Sequence, residues 1–196
     1  QRVNWSEDKL AYVMLGVTGP NEYENNVNNN WYTNYIARWC LTYTLKSILY
    51  MKEHHGKAFA EKSAKWSFNE AEETPKWADI IEKIYLPKLE GTEIFLQQDG
   101  FLDKQQLSVD DLKNEDRPIN QKWSWDRILR SIFIKQADTL QGIYLFEEHF
   151  SKETIAANFD FYEPKTVHES SLSPCIHVIL ASKLGRKEKA YELYLR

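Results

Sequence analysis

The stretch from Tyr32 to His54 constrains the fold most. It is predicted as one long helix, broken at Gly56, and its apolar positions Tyr32, Ile36, Trp39, Cys40, Tyr43 and Leu45 do not fall on one stripe. Such a helix is expected to be buried on more than one side. Most of the remaining sequence also reads at helical period, and glycine is scarce, with 7 residues in 196. Further helices are predicted over Lys57–Lys65, Thr74–Leu86, Trp125–Lys135, Asp138–His149, Thr154–Phe159 and Pro174–Leu184, and from Lys187 to the end. Thr74-Pro75 and Ser173-Pro174 resemble an N-cap followed by proline at the first helical position, and Gly185 supplies a C-terminal stop. Leu10–Val17 is the exception, a short strand or extended segment running into the turn Thr18-Gly19-Pro20. Leu89–Lys122 is a long connection with one short helix near Val109–Leu112. The fold class is therefore all-α, in α/α hairpins, without a linker that would divide 1–196 into two domains.

Charge excludes several partners. Acids and bases are interspersed at a net charge of -4, which is no footprint for nucleic acid or an anionic membrane. No apolar run approaches the ~18 residues of a membrane span. Two cysteines, Cys40 and Cys175, make no disulfide framework, so a reducing, cytoplasmic setting fits. No signal peptide is evident, and Gln1 is not a native start. Aromatic residues reach 14%; they can fill a core or form platforms for sugar rings, and composition does not choose between these.

Three polar clusters can carry chemistry. The first is Thr18-Gly19-Pro20-Asn21-Glu22-Tyr23-Glu24, followed by Asn25, Asn26, Asn28, Asn29 and Asn30. It can be an elaborate cap and loop, since Asn favours both, or a sugar-binding loop with Glu22 as general acid. The second is Ile134-Lys135-Gln136-Ala137-Asp138 at a helix junction. Lys135 there can be solvated, or turned inward with Ile132, Phe133 and Ile134. The third runs from Tyr162-Glu163-Pro164 through Thr166 and His168-Glu169-Ser170-Ser171-Leu172-Ser173. It can cap a helix, or gather hydroxyls, an imidazole and backbone N–H groups into an anion site. No metal constellation stands out: His54-His55 are adjacent rather than helix-spaced, and His149, His168 and His177 have no supporting carboxylate pattern.

In this order the clusters resemble glycoside hydrolase family 65, which includes maltose, trehalose and kojibiose phosphorylases. Gly19-Pro20-Asn21-Glu22-Tyr23 with Asn29-Asn30-Trp31-Tyr32-Thr33-Asn34 is similar to the family's acid-bearing segment, and Gln98-Asp99-Gly100-Phe101 to a loop motif. Lys135-Gln136-Ala137-Asp138 is similar to its substrate-site motif, and the His168–Ser173 stretch to its phosphate-site segment. The resemblance covers nearly the whole chain and is nearest to the maltose-cleaving members. It implies part of an (α/α)6 barrel, an incomplete helical toroid, with 1–196 a fragment of one catalytic domain. It also implies inverting phosphorolysis of an α-glucosyl disaccharide, maltose and phosphate giving β-glucose 1-phosphate and glucose.

By the same resemblance Glu22 is the catalytic acid, Lys135, Gln136 and Asn30 bind substrate, and His168, Ser170 and Ser171 bind phosphate. The implied partners are disaccharide and phosphate, the latter a co-substrate. No metal or organic cofactor is implied, and the parent is expected to be a homodimer. Family members are several times longer, so about half the barrel helices lie outside this chain. The fragment is expected to leave apolar faces uncovered and to be inactive alone. Two alternatives remain at this point: a trehalase-like hydrolase with Glu163 or Glu169 as base for water, and a non-catalytic helical module.

Overall fold

A computed structural model describes residues 2–196. Among the described residues the α-helices are α1 (Trp31–Lys65), α2 (Glu70–Lys83), α3 (Ile119–Lys122), α4 (Trp125–Arg130), α5 (Thr139–Leu145), α6 (Lys152–Tyr162), α7 (Ser173–Lys183) and α8 (Lys187–Tyr194). The strands among the described residues are β1 (Asn4–Ser6) and β2 (Ala11–Val13), an antiparallel pair with Trp5 opposite Tyr12. The chain divides into two compact units, one formed by the residues up to Val13 with Asn34–Tyr85, the other by Met14–Thr33 with Leu86–Arg196.

In the first unit, the second strand anchors the second helix: the Tyr85 N–H donates to the Tyr12 carbonyl at 2.8 Å, and the Tyr12 hydroxyl donates to Asp79 at 2.7 Å. Helix α1 is interrupted where the sequence predicts, with His55 at φ -141°, ψ 40° beside Gly56. Past that break Phe59, Phe68 and Trp77 pack as a short aromatic stack, Phe68 lying on Trp77 at 5.7 Å. Two expectations change here. Trp39, Tyr43, Leu49 and Tyr50 stand exposed, so burial on several sides of α1 is not supplied within the described residues. Helix α2 starts at Glu70, a turn before Thr74-Pro75, and Pro75 lies inside it. Glu70, Glu72 and Glu73 complement the helix N-terminus, and Glu73 accepts from the Asn69 N–H at 3.2 Å, which favours the earlier start over the proline position. The proline gives up one ladder hydrogen bond in return.

The second unit holds all three polar clusters. Helices α5, α6 and α7 pack on one another, and α8 folds back on α7 through Gly185. That glycine takes φ +80°, with Gly185 N–H on the Ser182 carbonyl and Arg186 N–H on the Ala181 carbonyl, the left-handed stop expected of it. Beside them Trp31 is fully buried, stacked on Phe95 at 4.7 Å and tilted against Phe150 at 6.0 Å. A second cluster joins Tyr23, Ile119, Trp123, Ile128, Phe133 and Val167.

The helix predicted over Trp125–Lys135 stops at Arg130. Ser131–Ile134 is instead extended and bridges two partners, Ile132 N–H donating to Gln105 and Ile134 N–H donating to Lys165. An apolar run of three residues fits a buried extended segment as well as a helix, and here backbone partners on both sides decide it. Ile132, Phe133 and Ile134 are buried, so this corner does point inward. Helix α7 begins at Ser173, leaving Leu172 at the cap position, and the Ser173 hydroxyl is engaged by His168.

Candidate active site

The acid-bearing loop is fixed by its own carboxamides. Asn29 Oδ1 accepts from the Met14 N–H at 3.0 Å, Asn28 Oδ1 from the Gly16 N–H at 3.1 Å, and Val17 pairs with Val27 through two backbone hydrogen bonds. Asn29 Nδ2 donates to Asp99 at 2.7 Å, which ties the Gln98–Phe101 motif to this loop. Asn21 is fully buried, and its Oδ1 accepts from Tyr23 N–H at 3.1 Å and from Lys135 N–H at 3.0 Å. The accumulation of asparagines is thus a loop-building device.

Glu22 projects from this frame with its side chain half exposed, and two residues of the second cluster meet it. Lys135 Nζ pairs with one carboxylate oxygen, and Gln136 Nε2 donates to the other at 3.1 Å and to the Pro20 carbonyl at 2.8 Å. The Lys135 hydrogen bond is the largest influence on Glu22 and holds its carboxyl below the ordinary range. Gln136 Oε1 is left without a partner among the described residues.

Asn30 is placed differently from expectation. Its Nδ2 donates to the Gln97 carbonyl at 3.2 Å and to Asp138 Oδ1 at 3.0 Å, while its Oδ1 accepts from the Thr33 N–H at 2.9 Å and the Thr33 hydroxyl at 2.8 Å. A carboxamide offers two donors and two acceptor positions, and all four are used. Asn30 is the N-cap of α1, with nothing left for a sugar hydroxyl.

His168, Ser170 and Ser171 line one open cavity of about 740 Å³ with Glu169, Cys175 and Arg196. His168 adopts φ +56°, its Nδ1 shares a 2.8 Å hydrogen bond with the Ser173 hydroxyl, and its ring meets the buried His177 edge-on at 4.5 Å. Desolvation, aided by the positive charges of Arg196 and Lys189, lowers His168 to about 4. The imidazole is therefore neutral near pH 7, and its Nε2 is buried without a hydrogen-bond partner among the described residues. The unfolded chain binds that proton at the ordinary 6.5, so stability associated with His168 is present above pH 6.5 and lost as pH falls towards 4. NMR of the imidazole carbon-bound protons should show no His168 titration between pH 8 and 5; a midpoint near 6.5 would contradict the burial.

Some site-building residues carry no sequence signal of their role. Glu169 Oε2 accepts from both the Tyr23 hydroxyl and the Ile119 N–H, each at 2.8 Å, joining the third cluster to the first. Glu24 is buried against Lys104, which also donates to the Leu129 carbonyl. Asp138 is buried and pushed up to about 7 by that burial, its oxygens taking Asn21 N–H and Asn30 Nδ2 at 3.0 Å each. No group of three potential metal ligands occurs among the described residues, and no described helix is long and apolar enough to cross a membrane.

The model of the glycosyl hydrolase family 65 central catalytic domain matches residues 1–196. The chain belongs to this family. It is 54% identical over 195 residues to maltose phosphorylase of Bacillus subtilis (strain 168), covering 100% of this chain and 25% of that protein. It is 35% identical over 193 residues to kojibiose phosphorylase of Halothermothrix orenii, covering 98% and 25%. With α,α-trehalose phosphorylase of Thermoanaerobacter brockii it shares 36% over 197 residues, covering 96% and 25%. A solved structure of a human-microbiome protein designated a kojibiose phosphorylase superposes at a TM-score of 0.88 and 38% identity, over 99% of this chain and 25% of that one. The chain spans about a quarter of the length of the curated relatives it matches. Its helices are those of part of the family's (α/α)6 barrel.

Proposed function

We propose that the parent of this family 65 chain is an inverting disaccharide phosphorylase that splits maltose with phosphate into β-glucose 1-phosphate and glucose. The observation that carries this reading is the carboxyl of Glu22, held from two sides by Lys135 and Gln136. The choice of maltose draws on the 54% identity to the B. subtilis maltose phosphorylase.

Glu22 gives its proton to the glycosidic oxygen as the bond to C1 breaks, so glucose leaves neutral. A phosphate oxygen attacks C1 from the opposite face and inverts it, and the proton that phosphate then sheds restores Glu22 through solvent. In the sugar-free chain Lys135 favours the ionised form of Glu22. A sugar bound over this half-exposed pair displaces water and takes the Lys135 ammonium as a hydroxyl partner, and both changes raise the carboxyl towards its acid form. His168, Ser170 and Ser171, which line one cavity, hold phosphate, the co-substrate; the reaction calls on no metal or organic cofactor. Asn30 acts by building the loop.

A hydrolase needs a second carboxylate to activate water. Of the two acids that the sequence offers for this, Glu163 pairs with Lys189 at 2.9 Å, and Glu169 has one oxygen, Oε2, committed to Tyr23 and Ile119, with Oε1 unpartnered among the described residues. Phosphate, already anionic, needs no such base. The test is glucose 1-phosphate formation from maltose by the full-length parent, with and without inorganic phosphate. Product that depends on phosphate is the expected result; equal glucose release in both buffers would identify a hydrolase instead.

A further inference from the structure

Asp138 ends the Lys135-Gln136-Ala137-Asp138 segment but does not reach the surface where Glu22 lies. Its carboxylate is buried, and both oxygens accept from the same loop: Oδ2 from the Asn21 N–H and Oδ1 from Asn30 Nδ2, each at 3.0 Å. Asn21 immediately precedes Glu22, and Asn30 caps the helix that follows the loop. The loop lies so tightly on this carboxylate that a Cβ on Gly19 would sit 2.4 Å from Asp138 Oδ2 and 2.4 Å from Asn30 Nδ2. One residue therefore clamps both ends of the acid loop, while the side chains two and three positions earlier, Gln136 and Lys135, grip the acid itself.

We infer that Asp138 is a positioning residue for the general acid: it sets where the Glu22 carboxyl stands relative to the glycosidic oxygen, without touching substrate. The inference rests on the functional reading above. Its chemical logic is that proton donation tolerates little misplacement, a shift of about 1 Å being worth up to ~10²-fold in rate. Two acceptor oxygens are required at this point, because both of its neighbours are donors. Asparagine matches the shape but presents an NH₂ to one of them.

The experiment compares two substrates in the full-length parent. Maltose needs its leaving oxygen protonated. With α-glucosyl fluoride the C1–F bond breaks to fluoride with its electron pair, a phosphate oxygen forms the new bond to C1, and the leaving group needs no proton. Asp138→Asn is expected to lower kcat on maltose by about 10- to 10²-fold, with kcat on the fluoride and KM for phosphate within about threefold of wild type. Gly19→Ala, which disturbs the same clamp while keeping every polar group, is expected to show the same selectivity. It serves as the test should Asp138→Asn fail to fold by circular dichroism. Equal losses on both substrates, or undiminished maltose turnover in folded variants, would overturn the role of Asp138. Absence of phosphorolysis in the wild-type parent would instead overturn the functional reading beneath it.

Discussion

Glu22→Gln in the full-length parent is expected to cut phosphorolysis of maltose by 10²-fold or more, the range set by loss of a general acid. A factor of 10² corresponds to about 2.7 kcal/mol on the barrier. Glutamine keeps the size of the side chain and one acceptor for Lys135 or Gln136, so the loop that Asn21, Asn28 and Asn29 build has no reason to move. What disappears is the transferable proton. KM for phosphate should change little, because His168, Ser170 and Ser171 line a cavity that Glu22 does not. Rates of glucose 1-phosphate release at saturating phosphate check the prediction. A loss of less than about threefold would remove Glu22 from the acid role.

Trp31→Ala is expected to be the most destabilising single change in the second unit, by about 3–5 kcal/mol. The indole is fully buried, lies flat on Phe95 at 4.7 Å, and packs so closely on Gly142 that a Cβ there would come within 2.7 Å of the ring. Its backbone N–H also donates to the Gln97 carbonyl, which accepts from the Asn30 amide as well. Truncation leaves a cavity between α1, α5 and the Phe95 segment at the point where the acid loop joins its helix. Urea unfolding of the chain should show a midpoint moved well below wild type, against a total stability for such domains of about 5–15 kcal/mol. An unchanged midpoint would mean that the site collapses around the smaller side chain without loss.

The residues proposed to handle sugar and phosphate are more legible than those that hold them in place. Glu22, Lys135 and Gln136 sit in short stretches of distinctive chemistry, and the structure brings these three together across more than a hundred residues of sequence. The helix break at Gly56 and the stop at Gly185 were readable because each rests on local backbone preference. The contacts of Asp138 were not, since both of its partners lie more than a hundred residues away and nothing in its own neighbourhood announces them. Asn30 read as a sugar ligand because an amide beside an acid suits either purpose; only the full set of four hydrogen bonds assigns it to capping. Ser131–Ile134 read as helix because its extended form is imposed by Gln105 and Lys165, partners no local pattern reveals. The three-residue β1 is too short to carry an alternating signal.

The hydrogen bond from Tyr23 to Glu169 joins residues 146 positions apart, and those binding Glu22 and Asn21 to Gln136 and Asp138 span 114 and 117. Contacts of such separation require loop closure before they return any stabilisation, which places them among the slow steps of folding. During synthesis at about 5–20 residues per second, Glu169 is added roughly 7–30 s after Tyr23. For that interval Tyr23 and Ile119 await the carboxylate that joins them, while the partners nearer in sequence, Asn21 for the Tyr23 N–H and Asn29 for the Met14 N–H, are already present.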